Sequence, residues 1–138
     1  MNVEPGPWSV TAECLSSSLG SHDLRVACPA PGVLRVSLHP AGHPWEPSPA
    51  VVEPEVRLPL TVEEQGDRLH LKASGLTFVI SRSPLRLTLG DADGNPLIEG
   101  IRPLLEAGVW RLEAPLTPET RCYGLGEKTG FLDQRGRR

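Results

Sequence analysis

Apolar and polar positions alternate along most of the chain with a period of two, and Gly, Pro, Asp and Asn cut the alternation into short runs. Between residues 33 and 39, Leu34, Val36 and Leu38 fall on one side and Val33, Arg35, Ser37 and His39 on the other. Successive side chains of a strand leave opposite faces, so this is the pattern of a strand half-buried in a sheet. Residues 23–28 precede it across Pro29-Ala30-Pro31-Gly32, which predicts a hairpin. The same period runs through Val56, Leu58, Leu60 and Val62, through Leu69 and Leu71 after the Gly66-Asp67 turn, and through Leu85, Leu87 and Leu89. Residues 76–81 are mostly apolar and predict a central strand. Asp91-Ala92-Asp93-Gly94-Asn95 is a turn, with Asp93-Gly94 suited to positive φ, and residues 96–99 make a short return strand. Residues 8–15 predict the opening strand, and residues 109–114 and 121–125 the last ones. A brief helical stretch is expected only at residues 103–107. Residues 40–54 hold five prolines with Trp45 and His43. Proline withholds the donor a sheet ladder needs, so this segment reads as a long loop or edge.

Composition narrows the fold class without changing it. A chain of 138 residues makes one domain and can bury roughly two-thirds of its unfolded surface. Fifteen prolines and fourteen glycines fit many short strands joined by tight turns. The expectation is therefore an all-β sandwich, in an open jelly-roll-like or supersandwich arrangement. A formal net charge of −3 argues against nucleic-acid binding. No run has the length of a membrane span, and residues 1–8 lack the basic and apolar regions of a secretory leader. Cys14, Cys28 and Cys122 match no zinc or Cys-x-x-Cys spacing and are expected to be reduced thiols of a cytoplasmic protein.

Candidate chemistry within the chain is sparse. There is no Gly-x-Ser-x-Gly elbow and no phosphate-cradling loop, and Gly124-Leu125-Gly126 lacks the third glycine of a dinucleotide site. Of His22, His39, His43 and His70, only His39 and His43 share a loop, with no third ligand at metal spacing. No cofactor is expected. A glycosidase needs two carboxylates facing one sugar, about 5–9.5 Å apart. Here Glu63, Glu64, Asp91 and Asp93 fall in turns. Sugars stack on flat aromatic rings, and Trp45 is the weak candidate for such a platform; the competing account has it packing the loop onto the sandwich.

The segment Arg121-Cys-Tyr-Gly-Leu-Gly-Glu-Lys-Thr-Gly-Phe-Leu-Asp-Gln-Arg-Gly-Arg-Arg138 resembles a stretch of glycoside hydrolase family 31, the α-glucosidase and α-xylosidase family. Ile80-Ser-Arg-Ser-Pro-Leu-Arg-Leu87, Asp91-Ala-Asp-Gly-Asn95 and the hairpin beginning Val33-Leu-Arg-Val36 are also similar to its amino-terminal domain. The resemblance implies a galactose-mutarotase-like β-sandwich that packs on a (β/α)₈ barrel, the barrel carrying the aspartate nucleophile and the acid/base of a retaining α-glycosidase. The family's Trp-x-Asp-x-Asn-Glu motif is absent, since Trp8, Trp45 and Trp110 are followed by Ser9-Val10, Glu46-Pro47 and Arg111-Leu112. A barrel of about 250 residues has no room here, so no catalytic residue is carried over.

What the resemblance implies is a non-catalytic amino-terminal domain over residues 1–138. Its expected partners are the missing barrel of the same polypeptide and, through the intact enzyme, an α-linked oligosaccharide. Tyr123, Gly124, Gly126, Glu127, Lys128 and Asp133 are expected at the barrel interface or the mouth of the active site. In the family the sandwich continues past this point, so an incomplete sandwich with an unpaired edge is expected, and with it self-association into a homo-oligomer. The alternatives are a stand-alone carbohydrate-binding sandwich and a structural or oligomerisation module. A sugar-epimerising enzyme would need a histidine and a carboxylate on one concave face.

Overall fold

The computed structural model describes residues 4–43 and 57–123, and over these it contains ten strands and no helix. β1 (Pro5–Val10), β2 (Cys14–Leu19), β3 (His22–Ala30) and β4 (Val33–Pro40) form one sheet in chain order. β5 (Thr61–Gln65), β6 (Arg68–Ala73), β7 (Leu76–Ser81), β8 (Arg86–Gly90), β9 (Pro96–Glu106) and β10 (Val109–Glu113) form the second, also in chain order. Every pairing is antiparallel. The all-β sandwich expected from the alternation is what the chain adopts.

The core lies between the two sheets. Leu15 and Leu19 of β2 and Leu24 and Val26 of β3 face Leu69, Leu71, Phe78, Ile80 and Leu87 of the second sheet and Leu85 just before β8, all buried. Each such side chain contributes about 1.5–3 kcal/mol when fully removed from water. Trp8, Leu34, Val36, Leu38, Ile101 and Trp110 pack around this centre from the outer strands. A smaller cluster of Cys28, Leu60 and Ala73, with Leu58 and Val62, closes one end. There the Gly32 N–H donates to Ser74 O at 3.2 Å, tying the β3–β4 turn to the β6–β7 turn.

Three expectations are corrected. The opening run at residues 8–15 is two strands, because Thr11 breaks it. Its N–H donates to Cys14 O at 2.8 Å while its hydroxyl accepts from Cys14 N at 3.0 Å, a side chain standing in for a backbone turn. The polar run Ser16-Ser17-Ser18 then continues as β2, with buried Ser17 satisfied by donating to Gly6 O at 2.9 Å. Second, residues 103–107 are not helical: the return strand at 96–99 continues through Glu106 as β9. A two-residue turn with positive φ at both Ala107 (49°) and Gly108 (78°) folds β10 back onto it, the geometry that matches strand twist. Third, the alternation through Leu58, Leu60 and Val62 is real, but the stretch is a crossover. Leu58 N donates to Cys28 O at 2.9 Å and Leu60 N to Ala12 O at 2.8 Å, so it leans on the first sheet before Thr61 enters the second.

Smaller differences concern strand ends. β3 reaches Ala30, past the expected turn at Pro29. Residues 121–123 are in no strand, and 124–125 of that expected strand lie outside the described residues, as does Val56.

Candidate functional site

Of the residues singled out in the terminal motif, Tyr123 is described; it is 65% exposed and follows a segment, residues 114–123, that belongs to no strand. Within that segment Thr120 N donates to Thr117 O at 3.1 Å and Arg121 Nη1 to Pro118 O at 3.2 Å. Gly124, Gly126, Glu127, Lys128, Asp133 and Trp45 lie outside the described residues.

Of the carboxylates highlighted in the sequence, Asp91 and Glu64 are engaged in local structure, and Glu63 and Glu64 lie in β5 rather than in the expected turn. The Asp91 Oδ1 atom accepts from Asp93 N at 3.0 Å and Asn95 N at 2.9 Å, and Oδ2 accepts from Asn95 Nδ2 at 3.0 Å. Those bonds, the Asn95 amide side chain first, hold the Asp91 carboxyl below its ordinary range. Glu64 is paired with Arg82 at 2.8 Å, Glu106 with Arg111 at 3.0 Å, and Glu113 with Arg102. Among the described residues no three His, Cys, Asp or Glu side chains gather as a metal site. Two histidines do stand directly across from carboxylates, His39 from Asp23 on β4 and β3, and His70 from Glu63 on β6 and β5.

Two concavities are lined by described residues. One is an apolar cavity of about 190 Å³ in the seam between the sheets, where Val36 and Leu38 of β4 and Leu24 of β3 face Leu87, Trp110 and Leu112. The Trp110 ring meets the His22 ring edge-on at 5.4 Å, and its buried indole N–H has no partner among the described residues. The other is a polar groove of about 290 Å³ on the outer face of the first sheet. Strand register builds it. Ser9 of β1 lies opposite Ser16 of β2, Ser16 opposite Arg25 of β3, and Ser18 opposite Asp23. Because Leu15, Ser17 and Leu19 point inward, Ser16 and Ser18 must point outward, and Asp23 and Arg25 do so for the same reason beside Leu24 and Val26.

These groove residues were not singled out from the sequence. The signal was available in Ser16-Ser17-Ser18 and in the alternation from Asp23 to Arg25, but it needed the β2–β3 register to bring the two runs together.

Comparison with known proteins adds a family frame. The family model described as the glycosyl hydrolase 31 N-terminal galactose mutarotase-like domain matches residues 23–138. Alpha-glucosidase 2 of Bacillus thermoamyloliquefaciens is 28% identical over 109 residues, which is 75% of this chain and 14% of that protein. The fold superposes on a dextranase of glycoside hydrolase family 31 from Flavobacterium johnsoniae, solved with glucose, with a TM-score of 0.81 and 20% identity over 98% of this chain and 18% of that one. A family 31 α-xylosidase from a soil metagenome, solved with xylose, gives a TM-score of 0.73 at 18% identity, covering 95% of this chain and 24% of that one. The family 31 α-xylosidase of Xanthomonas citri gives 0.66 at 26% identity, covering 93% and 16%. The chain thus spans about a seventh of the curated relative it matches.

Proposed function

The chain belongs to the glycosyl hydrolase 31 N-terminal galactose mutarotase-like domain family, and from that premise we propose that it serves an α-glucosidase-type glycosidase as a non-catalytic domain, supporting a catalytic barrel and shaping the substrate entrance. The observation that carries this reading is the match over residues 23–138 to an amino-terminal domain, beside a chain that spans 14% of the related alpha-glucosidase. The engagement of Asp91, Glu64, Glu106 and Glu113 in turns and ion pairs supports it, since those acids are held by local structure rather than aimed at a shared sugar site.

In this reading Tyr123, Gly124, Gly126, Glu127, Lys128 and Asp133 form the surface that meets the barrel or the active-site mouth. Cys14, Cys28 and Cys122 form no disulfide, which supports a cytoplasmic setting; recovery of the protein from its host with a disulfide would count against that.

The test is a polypeptide in which this chain precedes a family 31 barrel, assayed on a chromogenic α-glucoside beside the 138-residue chain and the barrel alone. Turnover is expected only when the barrel is present, with the barrel alone less active or less heat-stable than the fusion. Glu127→Ala in the fusion is expected to lower its melting temperature or its turnover. Hydrolysis by the 138-residue chain alone, or a barrel indifferent to its presence, would sink the proposal.

A further inference from the structure

We infer that the outer face of the first sheet holds a sugar-binding groove, in which Asp23 and Arg25 grip the hydroxyls of one neutral pyranose over a floor of Ser9, Ser16 and Ser18. The choice of a sugar rests on the carbohydrate reading above; the groove itself rests on geometry. It lies on the face away from the core, built by β1, β2 and β3, and none of its lining residues belongs to the terminal motif.

The groove carries unspent hydrogen-bonding capacity. Asp23 and Arg25 are two residues apart on one face of β3, both half-buried, and they share no ion pair. Neither side chain has a hydrogen bond or ion pair with another described residue, in contrast to the arginines and glutamates of β9 and β10. The hydroxyls of Ser9, Ser16 and Ser18 are likewise without a side-chain partner among the described residues. An outer sheet face ordinarily carries long, self-pairing charged side chains. Here short hydroxyls leave a hollow of about 290 Å³ with one acid and one base at its side.

The chemistry of that set selects its ligand. A carboxylate accepts from two neighbouring hydroxyls, a guanidinium donates to two, and serine hydroxyls do either. Their charges cancel, so a strongly anionic or cationic ligand gains little, whereas a ring bearing adjacent hydroxyls satisfies both. The groove has no aromatic floor and is open to solvent, so binding is weak, with a Kd of about 1–10 mM.

The experiment is a titration of the ¹⁵N-labelled 138-residue chain with glucose, followed by backbone amide shifts, with glycine as a zwitterionic control. Saturable shifts are expected at Ser16, Ser18, Asp23 and Arg25 with glucose and none there with glycine. Asp23→Asn, which keeps the side chain's shape, and Arg25→Met are each expected to weaken binding about tenfold or more at unchanged melting temperature. Glucose shifts elsewhere only, shifts that survive both variants, a preference for glycine, or shifts at these amides that appear on raising the protein concentration alone would each overturn the groove. The barrel fusion reads the family proposal independently: a fusion that needs this chain for turnover, beside a chain whose groove amides ignore glucose, sinks the groove and leaves the domain's role standing.

Discussion

Asp91 shows how much one side chain can organise. Its two oxygens collect three N–H donors from Asp93 and Asn95, and its own N–H and C=O bond to Asn95 and Gly94 across the same turn. The Thr77 hydroxyl adds a bond to Asp91 O at 3.0 Å, tying the turn to β7. The turn also needs Gly90, where a Cβ would sit 2.4 Å from Thr77 Oγ1 and 3.0 Å from Asn95 O. Because the Asp91 carboxyl titrates below its ordinary 3.8 in the fold, its contribution is complete above that value and fades as pH falls through the lowered one. Asp91→Ala is therefore expected to melt below the wild type at neutral pH, with the gap closing on acidification below 3.8. A gap that stays constant between about pH 6 and pH 2 would show that the carboxylate charge is not its source.

Among the described strands, β10 is an exposed edge. It ends the six-stranded sheet, and Val109 and Leu112 are 60% and 59% exposed. Arg111 and Glu113 do not guard this edge outward, because Glu106 and Arg102 of β9 hold them back. Unprotected apolar edges recruit further strands. The 138-residue chain is expected to self-associate with rising concentration, and Leu112→Lys to shift it toward monomer; sedimentation velocity on both would check this, and identical profiles would remove β10 from the interface.

Strand identity was legible wherever one face is buried, as in β6, β7 and β8, because burial imposes the period that the sequence displays. Strand continuity was not. The Thr11 break is made by a hydroxyl bonding its own backbone, and β9 carries Gly100 at φ 72° and buried Pro103, residues that read locally as strand ends. Its partners β8 and β10 hold it extended in spite of them, a tertiary override of local preference. Positions of chemical interest divide the same way. The terminal motif is a local string and could be read directly, whereas the groove joins residues from three strands and exists only once their register is set.

On the scale of the whole molecule, the strand order of both sheets follows the chain without exception. β1 to β4 therefore find all their ladder partners within the first 43 residues, and β5 to β10 find theirs after residue 57. What joins the halves across space is the shared apolar layer and a few bonds at its margin, such as Gly32 to Ser74 and Leu58 to Cys28. A polypeptide of this kind is divisible. Cleaved between Pro40 and Arg57, it is expected to yield two fragments that complement one another: mixed in equal amounts, they should recover the near-ultraviolet dichroism of half-buried Trp8 and Trp110, which neither gives alone. Fragments that stay inert on mixing would show that the covalent crossover, and not the layer between the sheets, holds the two halves in register.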